Sequence, residues 1–556
     1  LTPRMTFGLR AGLSRWEETT GSSYGTGYDQ SAMGVASSLL SQFTRQGFPN
    51  INLGTYQKMG TDRLLNYSAN DSYTLQPNLN IVYGRHFLKM GGEARRYNDN
   101  TLNPGLAAGT YTFGKNWTQA NYNRSDAVSG DELATFLLGY PTSASVDRNI
   151  DPAAKHYYYA GFFQDDWKVT SRLTLNLGLR WDYETPDIER YDRVMSGLDY
   201  NAASPIASKV TGLTLKGAVL FANLNGQSRG LVVPDKNNWA PRIGAAYRIG
   251  DKWVVRGGYG LYYLGQSATG PNTGYSQNTA AIVSTDGNLT PAVTTANAFA
   301  LYPNGQLLSA VGNSGGAASF LGQSITANYQ NRPLPYSHQY SFDIQRELPA
   351  GILLEAGYVG NLTRKLPLSM AANWVPIAEL GKRTSAGVID TSYYTTKIAN
   401  PMAGLIPNNA TLNAATIPRQ NLMYAFPQFS GVTFANVPIG RQHYDSFQMK
   451  FSKRFDHGFT FLGSYTIAKT LEQVAVQNNQ FFNLADIEST QLIKQPAADI
   501  DIPQKFNLTA VIELPFGKGR QFANQIPKAL DLVIGGWGLD MNITYMKGAA
   551  INYPNA

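Results

Sequence analysis

The chain predicts an all-β protein, a large antiparallel transmembrane β-barrel with long extracellular loops and short periplasmic turns. Three observations carry that expectation. Apolar and polar residues alternate through segment after segment, which is the signature of a strand with two different faces. The segments run about 10 residues, where soluble strands average about 5–6; tilted by about 45°, that length crosses a bilayer's hydrocarbon core. The connections between them alternate between short and long, as the two ends of such a barrel do.

Composition fits. The 556 residues exceed an ordinary single domain unless that domain is one large barrel or solenoid. Charged residues make up 15%, well under the usual quarter, and Tyr outnumbers Phe, 33 to 25. No run of about 18 apolar residues occurs, so a helical membrane protein is excluded. Cysteine is absent, so there is no disulfide framework and no thiolate zinc site. The net charge of +8 is scattered rather than clustered, and gives no nucleic-acid footprint. No basic n-region followed by an apolar h-region precedes the first strand.

In chain order the alternation begins with Met5, Phe7, Leu9, Ala11 and Leu13. Leu75, Pro77, Leu79, Ile81 and Tyr83 follow, and a short turn leads to a partner over 86–96. In "SRLTLNLGLRWD", Leu173, Leu175, Leu177, Leu179 and Trp181 share one side, and Asn176 and Arg180 the other. Ile243, Ala245, Tyr247 and Ile249 oppose Arg242 and Arg248; Trp253, Val255, Tyr259, Leu261 and Tyr263 come next. Tyr340, Phe342 and Ile344 oppose Asp343. Phe447, Met449, Phe451 and Phe455 oppose Lys450. Phe506, Leu508, Ala510, Ile512 and Leu514 form another set, and Leu539, Met541, Ile543 and Tyr545 oppose Asp540.

Six hairpins result: 74–83 with 86–96, 157–168 with 172–183, 240–249 with 252–263, 338–348 with 351–360, 443–455 with 459–469, and 503–514 with 536–547. Long polar, Gly- and Asn-rich segments separate them, at 98–155, 185–238, 264–335, 362–442 and 470–502. With the short turns periplasmic, 4–13 and 536–547 both ascend. A partner strand is therefore expected before residue 1 and another after 556, so that 1–556 is a barrel portion truncated at both ends. Thirteen clear strands are odd where bacterial barrels are even; further strands are expected near 51–57, 109–115 and 142–149. Short amphipathic helices are expected over 131–141 and 31–43.

Aromatic belts are expected at both membrane surfaces. Trp167, Trp253, Phe455, Phe459 and Trp537 lie at the short-turn end; Trp181, Tyr183, Tyr262, Tyr263, Tyr340, Tyr358, Tyr465 and Tyr545 lie toward the other. The set Leu173, Leu175, Leu177, Leu179, Phe342, Ile344, Leu508 and Ile543 is expected to face lipid. A closed barrel is required there, since an open sheet edge in hydrocarbon strands backbone polar groups.

Several strings resemble the barrels of TonB-dependent outer-membrane transporters, of the Oar-like subgroup common in acidobacteria and similar soil bacteria. They are "FFQDDWKVTSRLTLNLGLRWDYE" (162–184), "NWAPRIGAAYRIGDKWVVRGGYGLYY" (238–263), "HQYSFDIQRELPAGILLEAGYVGN" (338–361), "YDSFQMKFSKRFDHGFTFLGSYTIAKTL" (444–471) and "DIPQKFNLTAVIELPFGKGR" (501–520). The resemblance runs from about residue 70 to the end. It implies a 22-stranded barrel, an N-terminal plug, a TonB box that couples to the inner membrane and, in many members, a carboxypeptidase-regulatory-like domain ahead of the plug. None of these additional pieces is expected within 1–556, nor is the usual aromatic C-terminal strand.

Enzymatic readings fail on context. "GQSRG" (226–230) matches G-x-S-x-G but lies in a long loop with no helix pattern after it. His86, His156, His338, His443 and His457 are isolated, with no H-E-x-x-H. "ADIDIP" and "NDN" lack calcium-loop spacing, and "GTG" and "GKG" lack a strand-to-helix setting. No catalytic residue, metal or cofactor is expected.

The polar alternate positions are the better clue. Asn176, Arg180, Arg242, Arg248, Arg256, Asp343, Glu355, Lys450, Lys505, Glu513 and Asp540 are expected to face the lumen. There they would set pore selectivity or hydrogen-bond a plug. Ligand contacts are expected from the outer loops, with Tyr and Asn in "TGPNTGYSQNT" (269–279) and "TSYYTT" (391–396) as candidates for sugars or peptides. The expected function is TonB-dependent import of a scarce nutrient such as a siderophore, glycan or peptide. The expected partners are outer-membrane lipid, TonB through the plug and box, and that ligand. A passive porin, a soluble lectin-like β-protein and a surface adhesin are the alternatives.

Overall fold

A computed structural model describes residues 3–548, apart from 22–24, 61–63, 122–127, 266–273, 303–304, 311, 376–378, 380, 408, 457, 477–491 and 499. Thirteen strands, each hydrogen-bonded to the next in chain order, build one antiparallel wall. They are β1 (Met5–Thr20), β2 (Asn66–Tyr83), β3 (His86–Leu102), β4 (Ala153–Lys168), β5 (Leu173–Glu184), β6 (Asn238–Ile249) and β7 (Trp253–Tyr263). The series continues with β8 (Tyr336–Leu348), β9 (Ile352–Ala371), β10 (Gly431–Asp456), β11 (Phe459–Val476), β12 (Gln504–Glu513) and β13 (Gly538–Met546). All thirteen strands expected from alternation are present, in the expected neighbour order. No helix among the described residues is long and apolar enough to cross a membrane.

Cross-strand register fixes the two faces, because directly opposed residues point the same way. Leu175 opposes Trp167 and Ala245; Leu177 opposes Ile243; Ile344 opposes Val255 and Ala356; Leu508 opposes Gly463 and Ile543. This face is apolar through its middle apart from Asp165, which opposes Leu177 and is bonded to His86 at 2.7 Å, and among the described residues no protein layer covers it: Leu179, Ile243, Phe342 and Ile543 are all exposed. Aromatic rings lie across facing glycines on it, Phe451 over Gly463 and Tyr340 over Gly360.

Several strands are longer than a bilayer needs. At 26 residues, β10 is about 85 Å of chain, about 60 Å tall at 45°, against roughly 30 Å of hydrocarbon. β9 stays paired to it up to Ala371↔Thr433, so the two leave the wall as a ribbon. Ser324–Asn328 adds a parallel strand to that ribbon's end. The ribbon bends where its register slips beyond Thr363. Lys365 and Asn436 take left-handed backbone there, φ 58° and 63°, an uncommon conformation for any residue but glycine.

The long connections are not bare polar loops. They fold into a cap at one end of the wall, and the molecule's large buried side chains lie in it. One core joins Val35, Leu40, Phe43, Ile51, Tyr111, Phe113, Val146 and Phe299. A second joins Met195, Phe221, Phe320, Phe426 and Phe429 to Met370, Val432, Phe434 and Val437 of the β9–β10 ribbon. A third holds Ile206, Leu215, Met402, Ile406, Leu412 and Ile417. Alternation did not reveal these cores, since their apolar residues come in short clusters among Gly, Asn and Ser, such as Leu39 with Leu40 and Val219 with Phe221, and meet most of their partners only across separations of tens to hundreds of residues.

The segments near 51–57, 109–115 and 142–149 correct the sequence reading. Asn50–Asn52, Thr110–Thr112 and Ser143–Asp147 are strands of 3–5 residues. They pair with one another and with Asn278–Ala280 in a small cap sheet rather than joining the wall, being too short to cross a bilayer. The helix expected over 131–141 is Glu132–Leu137, capped by Asp131, whose side chain accepts from Leu133 N (2.8 Å) and Ala134 N (3.1 Å). Over 31–43, Gly34 at φ 81° separates a 3-10 turn (Gln30–Met33) from a helical turn (Ser37–Leu40), so no continuous helix forms. The link from β12 to β13 carries a helix, Lys528–Ile534, at the end where the other turns are tight.

Candidate functional site

The wall's other face carries the polar residues, and register brings all eleven singled out from the sequence onto it. Asn176, Arg242, Arg256 and Asp343 lie in three neighbouring rows of opposed positions: Asn176 with Gly244, Gly258 and Ser341; Gly178 with Arg242, Gly260 and Gln339; and Ala246 with Arg256 and Asp343. Arg256 directly opposes Asp343, and Glu355 directly opposes Lys450, two cross-strand pairs of opposite charge. Lys505 and Glu513 share the face with Asp540, which opposes Val511. Arg248 stands on it beside the short turn, and Arg180 opposes Ala240. Glu513 reaches out of the wall to Arg520 at 2.8 Å.

Arg180 is the centre of a connected ladder on β2–β5. It donates to Tyr158 Oη (2.7 Å), Asp182 Oδ1 (2.8 Å) and Glu93 Oε2 (3.4 Å). Tyr158 in turn donates to Asp182, Arg95 to Glu93, and Gln76 to Glu93 (2.6 Å). Nearer the short turns, Asp166 receives Lys89 (2.8 Å), Asn176 (2.6 Å) and Gln164 (3.0 Å). At the top, buried His156 stacks on Tyr97 and lies 3.0 Å from Asp187 and 3.5 Å from Glu184. Asp187 belongs to the cap, so this contact ties cap to wall. Lys89, Glu93, Arg95 and Asp166 were missed in the sequence, although in "HFLKMGGEARRYNDN" Lys89, Glu93 and Arg95 alternate with apolar or small residues over 88–94, as polar residues do in the other strands.

Beside the ladder the polar face holds an open hollow of about 470 Å³. Gly178, Gly244 and Gly258 leave its floor bare, the Tyr262 ring lies across Gly260, and Gln164, Asn176, Gln339 and Ser341 offer amides and a hydroxyl around it. Arg242 lies over the Tyr262 ring at 4.5 Å. Tyr262 therefore belongs to the polar face and not to an aromatic belt, a correction that follows from its even position beside Tyr263.

The belt residues Trp167, Trp181, Trp253, Tyr263, Trp537 and Tyr545 share the apolar face by register and alternation, as does Phe459 opposite Ile512. Phe455 follows a register break at 453–456 and is exposed, and register does not assign it a face. Two cations and an imidazole accompany the rings. Arg346 lies over Trp253 at 4.5 Å and Lys453 over Phe459 at 4.3 Å, and the His86 ring stacks on Trp167 at 5.3 Å. Toward the cap, Arg96 lies over Tyr73 and Lys236 over Tyr183.

Some loop candidates turn out to be structural. Tyr275 is buried against Val194, Ala222 and Leu231. Tyr394 is buried and donates to Glu379 O at 2.7 Å, while Tyr393 lies under Arg419 at 4.2 Å. Residues 269–273 and His457 lie outside the described residues. Ser228 of "GQSRG" accepts the Gly230 N–H at 3.0 Å in a turn, and no helix follows it. No cluster of three or more metal-ligating side chains stands among the described residues. The arrangement offers hydrogen bonds and charge, with no nucleophile–base pair in the polar ladder.

No curated protein matches the chain. Among solved structures it is similar to the outer membrane transporter YddB from Escherichia coli, at 11% identity and TM-score 0.45, covering 98% of this chain and 54% of that one. It is similar also to the siderophore receptor PiuA from Acinetobacter baumannii (10%, TM-score 0.37, 92% and 51%). A third is the ferric-catecholate import receptor Fiu from E. coli K12 (12%, TM-score 0.35, 92% and 50%). The chain thus spans about half the length of these proteins. A sequence model for the outer membrane beta barrel domain matches residues 1–556 in full, and the chain belongs to that family and to the outer membrane.

Proposed function

We propose that the chain is the wall and outer cap of a TonB-dependent transporter that imports a scarce nutrient such as a siderophore, glycan or peptide. The observation that carries this reading is the cap. Three hydrophobic cores, one of them shared with the β9–β10 ribbon, make it a folded surface of fixed shape, which is what selective capture needs and a passive pore does not. In this reading the polar face is the lumen. The residues from Asn176 and Arg180 through Arg242, Arg248, Arg256, Asp343, Glu355, Lys450, Lys505 and Glu513 to Asp540 line it, and the Arg180 ladder and the glycine-floored hollow present hydrogen bonds to whatever fills or crosses it. Leu173, Leu175, Leu177, Leu179, Phe342, Ile344, Leu508 and Ile543 meet lipid. Energy coupling through TonB belongs to the whole protein, with its plug and box.

The test is uptake of labelled ferric siderophores, oligosaccharides and peptides by cells carrying the whole gene, with and without a protonophore. Active import of one class stops when the inner-membrane gradient collapses. Uptake that continues unchanged identifies a passive pore and overturns the proposal.

A further inference from the structure

On the apolar face, close to the cap, four strands leave a groove of about 620 Å³. Ala11, Leu13, Tyr73, Leu75, Ala94 and Tyr159 line it. Register puts them on one surface: Ala11 opposes Leu75, Leu13 opposes Tyr73, and Ala94 opposes both Leu75 and Tyr159. The two alanines, set among larger neighbours, open the slot. Its lining is hydrocarbon and aromatic, which suits an acyl chain and not a headgroup.

The upper rim differs. Arg96 lies over the Tyr73 ring at 5.9 Å and opposes Tyr157, and Lys155 stands one pleat repeat above Tyr157, opposite Asn98. Neither cation has an ion-pair partner among the described residues, whereas nearby Arg15 is held by Glu17 and Asp71. Tyr157 stands 10 residues along β4 from Trp167 of the lower belt, about 24 Å of height at 45°, the thickness of the apolar band of such barrels. The two cations therefore sit at the phosphate level of the outer leaflet.

We propose that this groove binds one phosphorylated acyl lipid of the outer leaflet, its chain along Ala11, Leu75 and Ala94 and its phosphate between Arg96 and Lys155. Charge complementarity selects the lipid over a second copy of the chain: the neighbouring carboxylates on this face, Glu17 and Asp71, are already held by Arg15, so a copy seated here would bury both cations without a free carboxylate to meet them. The proposal rests on the apolar face meeting lipid, which labelling at Leu175 and Ile344, away from the groove, tests separately.

The experiment titrates bisphosphorylated lipid A into the detergent-solubilised chain and counts retained lipid by native mass spectrometry. A shift on a cold gel confirms that each variant is folded. The wild type is expected to retain one lipid A. Arg96→Ala with Lys155→Ala is expected to weaken retention about 30-fold. Ala94→Trp, which fills the slot and keeps both cations, is expected to abolish it. Dephosphorylated lipid should bind the wild type as weakly as lipid A binds the double variant. Equal retention by the wild type and both variants, or indifference to the phosphates, overturns the proposal.

Discussion

Arg180 and Arg520 both pair with carboxylates, and their surroundings make the pairs unequal. The Arg180 side chain is 22% exposed and has three acceptors; Arg520 is 45% exposed and among the described residues pairs with Glu513 alone. Arg180→Ala leaves Glu93 and Asp182 without their cation, and is expected to cost about 3 kcal/mol in urea unfolding from micelles. Arg520→Ala is expected to cost under about 1 kcal/mol in the same measurement, because a solvated pair gains little. Equal losses would mean that the ladder is as wet as the turn. At this scale the sequence was legible wherever a charge interrupts an apolar strand, as Asp343, Lys450 and Asp540 do. It was not legible at Glu93 or Asp166, whose importance comes from neighbours on other strands. His156 read as an isolated residue for the same reason: Asp187 reaches it from a cap segment whose path the sequence does not reveal.

Among the elements, wall strands and cap segments obey different rules. A wall strand is specified locally, since period-two alternation and a length of about 10 residues suffice to place it. The cap is specified by distant contacts. Phe299 meets Val35 and Tyr111 only after the chain has crossed the wall several times, so the strands at Asn50–Asn52 and Thr110–Thr112 read as possible wall strands. Two expectations follow from this division. Phe299→Ala is expected to cost the cap about 3–5 kcal/mol, seen as rapid proteolysis of the outer segments while the wall keeps its resistance to SDS. Loss of both together would show one cooperative unit. The second concerns the Glu132–Leu137 helix. The hydrogen bond from Tyr56 (2.9 Å) and the backbone N–H groups of Ala134 and Leu133 hold the Asp131 carboxyl below its ordinary value. A depressed carboxylate contributes stability that is present above its unfolded pKa and is lost as pH falls through the folded one. Protection of the Leu133 and Ala134 amides, measured as exchange relative to each amide's intrinsic rate at the same pH, is therefore expected to fall at acid pH, and Asp131→Asn to flatten that dependence.

For the whole molecule, the wall and the cap divide the work. The wall is held by backbone ladders and packs few large side chains; its apolar face has no protein partner among the described residues, as an outer-membrane location requires. The cap has the hydrophobic cores of a soluble domain and stands on the β9–β10 ribbon that the wall extends into it. Membership of the outer membrane beta barrel domain family agrees with the wall.

The assignment of the two faces is the central claim, and the absence of native cysteine allows it to be measured directly. Leu175→Cys, Ile344→Cys, Asn176→Cys and Asp343→Cys, one at a time in the reconstituted protein, would each be offered a water-soluble maleimide. In parallel, each would carry a bimane probe exposed to brominated lipid. The expected result is quenching by lipid and no maleimide reaction at 175 and 344, with maleimide reaction and no quenching at 176 and 343. The reverse pattern would contradict the account, because a change of one position in the strand parity moves every polar side chain of the wall into hydrocarbon.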